Sequence, residues 1–414
     1  MADNKNIVIL GGSYGGVSTA HYLLKHAVPQ LPDGDSYQVV LVSASTQVIC
    51  RPACPRALIS DDMFPQDKLF VDIPPLFEQY PAGRFRFVHG SAVKLDHADR
   101  TVSVQLADGQ KETTATIAFH ALVVATGAST SSPLMGLNGD ENSLRAAWSA
   151  FRQALPTAKS IVIAGGGPTG IETAGELGEY LNGHAGWLRC KLDNPKVAIT
   201  VVTSGAQVLP VLRTSIASTA EDYLARVGVK VIKNTKVATV TPPEAGTTQA
   251  TLTTKTSLTL SDGRTLEADI YIPAMGAKPN TGFIDGSLLA ADGRVQTNAS
   301  TLRVEAAGPR IYAIGDAATF ARPSVHSIIN AIPVLGANIK RDLLLAAGAT
   351  AGEDRVFTED VRETQLVPIG RSKGVGAVMG YRVPSLLVWG IKGRDYWLWT
   401  TGGLWSGKQW AKES

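Results

Sequence analysis

The sequence is poor in cysteine and in charged residues. Its 414 residues include only 3 cysteines, too few for the disulfide framework of a small secreted domain. Charged residues make up 18% of the chain, the formal net charge is +3, and no long run of one sign occurs. A polyanion is therefore excluded as the first hypothesis for a partner, and we expect no nucleic acid.

The beginning of the chain offers no targeting signal. An apolar, β-branched run starts at residue 6, which leaves no room for a signal peptide. We therefore expect an intracellular, cytoplasmic protein that is not secreted. Cysteine and histidine do not occur at zinc spacing, so no metal is expected. Hydrophobic residues make up 44% of the chain, and the length predicts about two or three well-packed domains.

One local pattern occurs twice: an apolar run, closely spaced glycines and an amphipathic segment. The first copy lies at residues 6–26 and the second at residues 160–181. The pattern predicts a strand, a tight turn and a helix in each copy, with the helices over residues 17–26 and 171–181. Two separate nucleotide-binding units are typical of such a repeat.

The glycines indicate the chemistry of these turns. A turn without side chains lets the backbone approach a pyrophosphate, and the N–H groups at the start of the following helix bind it. The second copy carries the three glycines of the dinucleotide fingerprint, Gly165, Gly167 and Gly170. In the first copy Gly11 and Gly16 fit, whereas Ser13 replaces the middle glycine. Two dinucleotide sites are therefore predicted.

The acid that would bind the ribose is missing from both copies. The second predicted strand ends at Ser43 in the first copy and at Thr203 and Ser204 in the second. Ser43 can hydrogen-bond a ribose, although more weakly than a carboxylate. In the second copy the missing acid removes the repulsion against a 2′-phosphate. NADH and NADPH therefore both stay open, with Arg213 as a candidate partner of the phosphate.

Three further predicted strands end in glycine, at residues 121–127, 269–276 and 310–316. The last lies beyond the second unit and has no partner sheet nearby, which favours two interleaved domains. We predict an α/β fold with two interleaved Rossmann-like dinucleotide-binding domains and a small C-terminal α+β module. The expected boundaries are residues 1–127 and 282–350 for the first domain, 128–281 for the second, and 351–414 for the module. Hairpin turns are expected at Asp108-Gly109 and Asp262-Gly263.

These motifs resemble the flavoproteins with two dinucleotide-binding domains, the pyridine nucleotide-disulfide oxidoreductase superfamily. The chain is most similar to the branch of apoptosis-inducing-factor homologues that includes the ferroptosis suppressor protein, and it is more distantly similar to type II NADH dehydrogenases. Residues 370–376 and 392–396 resemble the tail of that branch. The resemblance covers essentially the whole chain. It implies FAD on the first domain and NADH or NADPH on the second.

The resemblance also implies site residues. The FAD pyrophosphate would lie on the first turn, at Gly11, Ser13, Tyr14, Gly15 and Gly16, with Ser43 near the ribose. The flavin domain would be closed by Ala125, Thr126 and Gly127, and its ribityl chain or pyrophosphate would contact Asp316. NAD(P)H would lie on Gly165, Gly167, Pro168, Thr169 and Gly170. Glu172 would lie near the nicotinamide amide and the flavin ring, as a catalytic and cofactor-binding residue.

A second catalytic residue follows from residues 51–56. This segment resembles an Arg-Pro-x-x-x-Lys element that places a cation beside the isoalloxazine in related flavoproteins. Arg51 and Arg56 would contact the cofactor, and Arg56 would stabilise negative charge on the reduced flavin. A surface arginine in a proline-rich loop is the alternative interpretation of Arg56.

The implied function is an FAD-dependent NAD(P)H oxidoreductase that passes electrons to a quinone-like acceptor or to oxygen. Cys50 and Cys54 lie near the place of a redox disulfide in related enzymes, but their spacing differs, so two packed thiols are expected. His326 lies where type II dehydrogenases approach the quinone, and a structural histidine is the favoured interpretation. A non-catalytic redox-signalling flavoprotein and a secondary-metabolite tailoring oxidase stay open as alternatives.

Tryptophan is concentrated near the C-terminus, where five of the 7 tryptophans lie between positions 389 and 410. The apolar run at residues 384–391 is far shorter than the roughly 20 residues that span a bilayer. Two interpretations stay open for this aromatic and basic segment. It contacts a membrane surface peripherally, or it packs as a lid on the first domain. The oligomeric state is not predicted.

Overall fold

The structure is a computed structural model that describes residues 5–107 and 113–413. The expected turn at Asp108-Gly109 lies outside the described residues. The helices and strands fall into three consecutive groups along the chain.

The first group contains β1 (Lys5–Leu10), α1 (Tyr14–Tyr22), β2 (Tyr37–Ser43), β3 (Gln47–Ile49), α2 (Cys54–Ala57), α3 (Gln66–Leu69), β4 (Phe70–Asp72), β5 (Phe85–Asp96), β6 (Thr101–Leu106), β7 (Thr114–Ala118) and β8 (Ala121–Val124). The second contains β9 (Ala128–Thr130), α4 (Glu141–Ala154), β10 (Ser160–Ala164), α5 (Pro168–Asn182), β11 (Ala198–Val202), α6 (Thr214–Arg226), β12 (Val229–Ile232), β13 (Val237–Thr241), β14 (Thr256–Leu260), β15 (Thr265–Ala268), β16 (Ile270–Pro273) and β17 (Ala277–Pro279). The third contains β18 (Ile311–Ala313), α7 (Val325–Ala346), β19 (Gln365–Ile369), β20 (Lys373–Val378), β21 (Tyr381–Arg382), α8 (Ser385–Val388) and α9 (Leu398–Trp405).

Two mostly parallel sheets form the framework of the fold. The larger has the strand order β18-β8-β1-β2-β5-β6-β7, and its first five strands are parallel. The smaller has the order β12-β11-β10-β16 and is parallel throughout. The central strands are apolar, β-branched and buried, as parallel strands covered on both faces must be. In each sheet the glycine turn follows the strand at which the strand order reverses, where Rossmann-like folds bind ligands.

The chain passes from the first sheet to the second and back again. β18 pairs in parallel with β8, with Ile311 opposite Leu122, although the whole second sheet lies between them in the sequence. The two crossings pair with each other as β9 and β17, with Ala277 opposite Thr130. The predicted α/β class with two interleaved Rossmann-like units is therefore confirmed. The domain boundaries at residues 127, 281 and 350 stay a prediction.

The predicted helices are present with longer bounds than expected. α1 begins at Tyr14 rather than at residue 17, and a π-helical turn over Leu23–Ala27 continues it. α5 begins at Pro168, whose missing N–H costs nothing at the first helical position. The hairpin turn predicted at Asp262-Gly263 joins the antiparallel strands β14 and β15.

The C-terminal module consists of the antiparallel sheet β19-β20-β21 and of α8 and α9. Its first strand lies against α5. A Cβ on Gly175 would be 2.9 Å from the Cα of Ile369, so glycine is needed for this close approach. None of the helices in the described part of the chain is long and apolar enough to cross a membrane.

Candidate active site

The two glycine turns adopt the same backbone geometry. Gly11 and Gly165 both have positive φ angles, +115° and +131°, which residues with a Cβ rarely adopt. A Cβ on Gly11 would lie 2.2 Å from the carbonyl oxygen of Ala125, and one on Gly165 would lie 2.4 Å from that of Ala274. Each turn therefore presses its backbone against the residue after the neighbouring strand, β8 or β16.

The last glycine of each turn lets the helix start close to the turn. A Cβ on Gly16 would lie 1.7 Å from the carbonyl oxygen of Gly11, and one on Gly170 would lie 2.1 Å from that of Gly165. Any side chain at these two positions would push the helix away from the turn, and the N–H groups at its start would no longer converge on a bound anion.

The middle position of the fingerprint tolerates a side chain, which explains Ser13. Ser13 and Gly167 are the N-caps of α1 and α5, and both have extended backbone. Among the described residues, no heavy atom outside the immediate chain neighbours lies within 4 Å of a Cβ built on Gly167. A serine therefore fits here without widening the turn.

A cleft of about 1090 Å³ extends from the first turn to the start of α5, directly after the second turn. Its lining includes thirteen of the predicted site residues: Gly11, Ser13, Tyr14, Gly15, Ser43, Arg51, Ala125, Thr126, Gly127, Pro168, Thr169, Glu172 and Asp316. The C-terminal module supplies a further wall, with Thr364, Gln365, Leu366, Val378, Lys392 and Trp397. Within the described residues, Gly16, Gly165, Gly167 and Gly170 shape the turns behind this lining, and Arg56 is not part of it.

A buried ion pair lies in the lining of the cleft. Nζ of Lys392 donates to Oε1 of Glu172 at 2.5 Å and to the carbonyl oxygen of Leu366 at 3.0 Å. Nζ also lies 4.8 Å from the ring centroid of Trp397. Burial, opposed by the charge of Lys392, raises the pKa of Glu172 to about 7. The pair therefore holds a carboxyl that changes its protonation near neutral pH.

Arg56 lies elsewhere, which corrects the expectation that it stands beside the flavin. Its Nε and Nη2 donate to the two carboxylate oxygens of Glu176 at 2.9 and 2.7 Å, and its Nη1 donates to the carbonyl oxygen of Gly393 at 2.8 Å. Its guanidinium also lies 4.8 Å from the ring centroid of Tyr396. Arg56 is buried and fully occupied in holding the C-terminal module on α5. Lys392 is a buried cation in the cleft wall, and the sequence did not predict it as a site residue.

Arg51 does line the cleft. Its Nη1 lies 3.6 Å from Oδ2 of Asp316 and donates to the carbonyl oxygen of Ala128 at 3.1 Å. Asp316 lies in the short turn that follows β18. This pair therefore joins the loop after β3 to the returning strand, at the carboxyl edge of the first sheet.

Asn280 is a cleft residue that the sequence analysis missed. Its Nδ2 donates to the carbonyl oxygen of Thr126 at 3.0 Å, and its Oδ1 accepts from the hydroxyl of Ser129 at 2.7 Å. The hydroxyl of Thr126 donates in return to the carbonyl oxygen of Asn280 at 2.7 Å. These bonds connect the segment in which the chain passes to the second sheet with the segment in which it returns to the first. The only available signal was its place shortly after Gly276, which no motif marks.

Several other predicted residues have partners within the chain. The hydroxyl of Ser43 donates to the carbonyl oxygen of Ser45 at 2.7 Å. Arg213, the candidate partner of a 2′-phosphate, is paired with Glu363 through Nε at 2.8 Å. His326 is exposed in the cleft wall, and its Nε2 lies 3.0 Å from Nδ2 of Asn330.

Cys50 and Cys54 are buried free thiols. Burial raises the pKa of Cys50 to about 11 and that of Cys54 to about 12. Sγ of Cys50 accepts from the hydroxyl of Tyr14 at 3.5 Å. Both side chains are therefore protonated at neutral pH, a state in which a thiol is a poor nucleophile.

The C-terminal tryptophans divide between packing and exposure. Trp405 and Trp410 are buried, and the ring of Trp405 lies 4.7 Å from that of Tyr14. Trp397 lines the cleft, and Trp399 is 60% exposed.

His21 on α1 holds the end of this tail. Its Nε2 lies 2.7 Å from the carbonyl oxygen of Trp405, and its Nδ1 lies 2.7 Å from the hydroxyl of Tyr80. Burial lowers the pKa of His21 to about 4, so the ring is neutral and carries one N–H. Because a carbonyl only accepts, this N–H is on Nε2, and Tyr80 donates to Nδ1.

The site has the features expected of a cleft in which two dinucleotides bind opposite each other. The two turns, in which a Cβ at the first or last glycine would collide with the backbone, suit pyrophosphates. The N-termini of α1 and α5 supply N–H donors, and one cleft connects the two helix starts. This is the architecture of oxidoreductases with two dinucleotide-binding domains.

The chain belongs to the pyridine nucleotide-disulphide oxidoreductase family, whose model matches residues 5–334. This confirms the family that the motifs predicted, and it establishes an oxidoreductase.

Three known proteins illustrate the similarity. Oxidoreductase phnG of Penicillium herquei is 62% identical over 412 residues, which cover 99% of this chain and 98% of that protein. Ferroptosis suppressor protein 1 of Taeniopygia guttata is 26% identical over 96% of this chain and 95% of its own length. The solved structure of the sulfide:quinone oxidoreductase from Aquifex aeolicus has a TM-score of 0.69 at 17% identity and covers 97% of this chain and 92% of that one. This last likeness concerns the fold alone.

Proposed function

We propose that the protein is an FAD-dependent NAD(P)H oxidoreductase that passes electrons to a quinone-like acceptor or to oxygen. The observation that carries the proposal is the cleft that extends from the first glycine turn to the start of α5, with the buried Glu172–Lys392 pair in its lining. Bound FAD would accept a hydride from NAD(P)H and deliver two electrons to the acceptor. Catalysis by the protein then depends on positioning and electrostatics rather than on an added nucleophile.

The residues of the first sheet would hold FAD. Gly11 and Ser13 lie where the pyrophosphate would meet the start of α1, and Gly127 and Asp316 line the cleft at the ends of β8 and β18. The start of α5 would hold NAD(P)H in the same way, through the N–H groups that follow Pro168, beginning with that of Thr169.

Lys392 would supply the positive charge beside the reacting ring. A fixed cation in a water-poor site stabilises developing negative charge without reorganisation of solvent. Glu172 holds this ammonium group in place, and its pKa of about 7 lets it take up or release a proton near neutral pH.

The acceptor would bind directly in the cleft, without a redox disulfide. The raised pKa values of Cys50 and Cys54 leave no thiolate at neutral pH. The wall of the C-terminal module presents Leu366, Val378 and Trp397, which suit a planar and largely apolar molecule.

We also propose that the C-terminal module touches a membrane surface. α8 and the π-helical turn Trp389–Gly393 that follows it expose Leu386, Leu387 and Ile391, while Val388 and Lys392 face inward. The indole N–H of Trp399 donates to the carbonyl oxygen of Ile391 at 3.3 Å, so an aromatic ring borders this apolar face. A short amphipathic helix with a bordering tryptophan suits the boundary between headgroups and acyl chains.

A second candidate function is a tailoring oxidase that acts on one specific small molecule. It rests on the 62% identity with a fungal oxidoreductase whose name specifies no quinone or other acceptor. Turnover with the specific compound and not with simple quinones would distinguish it from the first candidate.

The proposal is tested by anaerobic titration of the purified protein with NADH and with NADPH. The expected result is bound yellow flavin that loses its visible absorbance with one nicotinamide and regains it on addition of a quinone or of oxygen. Purified protein without flavin, or flavin that neither nicotinamide reduces, would contradict the proposal.

A further inference from the structure

The loop after β2 lies at the cleft although it lacks the acid of a ribose site. Ser43 and Ser45 both line the cleft, and both are more than nine-tenths buried. The hydroxyl of Ser43 donates to the carbonyl oxygen of Ser45 at 2.7 Å and accepts from the N–H of Ser45 at 3.3 Å. The loop is therefore closed on itself, with its polar groups at the edge of the cleft.

A carboxylate from another part of the fold holds this loop. Glu141 is the first residue of α4, and it is 8% exposed. Its Oε2 lies 2.6 Å from the hydroxyl oxygen of Ser45 and accepts from the N–H of Thr46 at 3.2 Å. Its Oε1 accepts from the hydroxyl of Thr46 at 2.6 Å. Burial opposes ionisation, but these bonds from Ser45 and Thr46 hold the pKa of Glu141 below its ordinary value.

We propose that Glu141 is a positioning residue for the adenosine ribose of FAD. In a usual ribose site the negative charge is on an acid at the end of β2. In this chain it is on Glu141 of α4, which contacts the loop after β2. It orders Ser43 and Ser45, whose hydroxyl and peptide groups contact the ribose hydroxyls. Because α4 belongs to the predicted second domain, adenosine binding is thereby coupled to the packing of that domain on the first.

This inference rests on the proposed function, since it assumes that FAD occupies the first turn. A purely structural role for Glu141 would weaken the binding of every flavin nucleotide alike. If Glu141 is a positioning residue, its loss instead abolishes the preference for FAD over an analogue that lacks the ribose hydroxyls. The distinction therefore lies in a ratio of affinities rather than in one affinity.

The test compares FAD with an analogue whose adenosine ribose lacks both hydroxyls, bound to the deflavinated full-length protein and followed by quenching of flavin fluorescence. We expect the unmodified protein to prefer FAD about tenfold, as one or two lost hydrogen bonds would give. The Glu141→Ala variant should bind both ligands with nearly equal affinity.

Asp140→Ala is the matched control. Asp140 caps the same helix by accepting from the N–H of Ser143 at 2.8 Å, so its loss loosens the start of α4 but keeps the carboxylate of Glu141 that contacts the loop. This variant should keep the preference of the unmodified protein. If Glu141→Ala does not fold, Ser45→Ala should show the same loss of preference.

A preference that persists in Glu141→Ala, or that disappears equally in Asp140→Ala, would overturn the inference. So would an unmodified protein that binds the two ligands equally. An unmodified protein that binds no FAD at all would instead refute the proposed function.

Discussion

Lys392 and Glu172 form a buried ion pair, 2.5 Å between Nζ and Oε1, that connects the C-terminal module to the first turns of α5. The two residues lie far apart in the sequence, yet both line the cleft between the dinucleotide turns. Burial of both partners makes the loss of either one costly, because the remaining charge would be buried and unpaired. The C-terminal module is therefore part of the site and not an appendage to it.

Replacing Lys392 by methionine should slow flavin reduction. The variant removes the buried cation that the C-terminal module contributes to the cleft wall and leaves the carboxyl of Glu172 buried without its partner. We expect the rate of anaerobic reduction by NAD(P)H to fall roughly 100-fold, as on removal of other fixed electrostatic groups. Stopped-flow absorbance measures this rate. Arg394→Met, which removes an exposed cation from the same segment, serves as the control, and equal rates in the two variants would refute the role of Lys392.

The stability of the protein should depend on pH through Glu172. Burial raises its pKa from 4.5 to about 7, so between these values the folded protein holds a proton that the unfolded chain has released. The contribution of this group to stability is therefore present at low pH and is lost as the pH rises through the window. Urea unfolding should show that the native protein loses stability relative to Glu172→Gln between about pH 5 and about pH 8. An unchanged difference between the two proteins would contradict the assigned pKa.

Arg56→Met should affect stability more than chemistry. The variant leaves Glu176 buried without its cation and removes the bonds to the carbonyl oxygens of the C-terminal module. We expect the free energy of unfolding to fall by about 3–5 kcal/mol, while the folded protein keeps a flavin-reduction rate close to that of the native protein. Arg264→Met is the control, since both this arginine and its partner Asp262 are exposed. If a stably folded Arg56→Met variant lost as much reduction rate as Lys392→Met, the prediction that Arg56 acts beside the flavin would be supported instead.

The apolar face of α8 should mediate membrane binding. Leu386→Asp combined with Leu387→Asp places two charges on that face, and we expect the variant to stay in the supernatant when the native protein sediments with vesicles of phosphatidylcholine and phosphatidylserine. Val356→Asp combined with Val361→Asp changes two exposed apolar residues of the preceding segment and should sediment like the native protein. Equal partitioning of all three proteins would remove the membrane contact.

The features predicted correctly from the sequence are those set by local backbone requirements. Gly11 and Gly165 mark their turns because a positive φ and a neighbouring carbonyl oxygen exclude side chains. The interleaving of the two units could be inferred because the strand at residues 310–316, found as β18, has no partner sheet nearby in the sequence.

Contacts between side chains that are distant in the sequence could not be inferred in this way. Arg56 pairs with Glu176 on α5 and with carbonyl oxygens of the C-terminal module, an arrangement that depends on how the module packs on that helix. Lys392 and Asn280 contact their partners across 220 and 154 positions of sequence, and no periodicity encodes such contacts.

The most direct test of the account is anaerobic flavin reduction in Gly165→Val. The added side chain would collide with the carbonyl oxygen of Ala274 and displace only the second turn. The account predicts a protein that keeps its yellow flavin, is no longer reduced by NADH or NADPH, and is still reduced by dithionite. Reduction by a nicotinamide at the rate of the native protein would contradict the claim that the second turn holds the hydride donor.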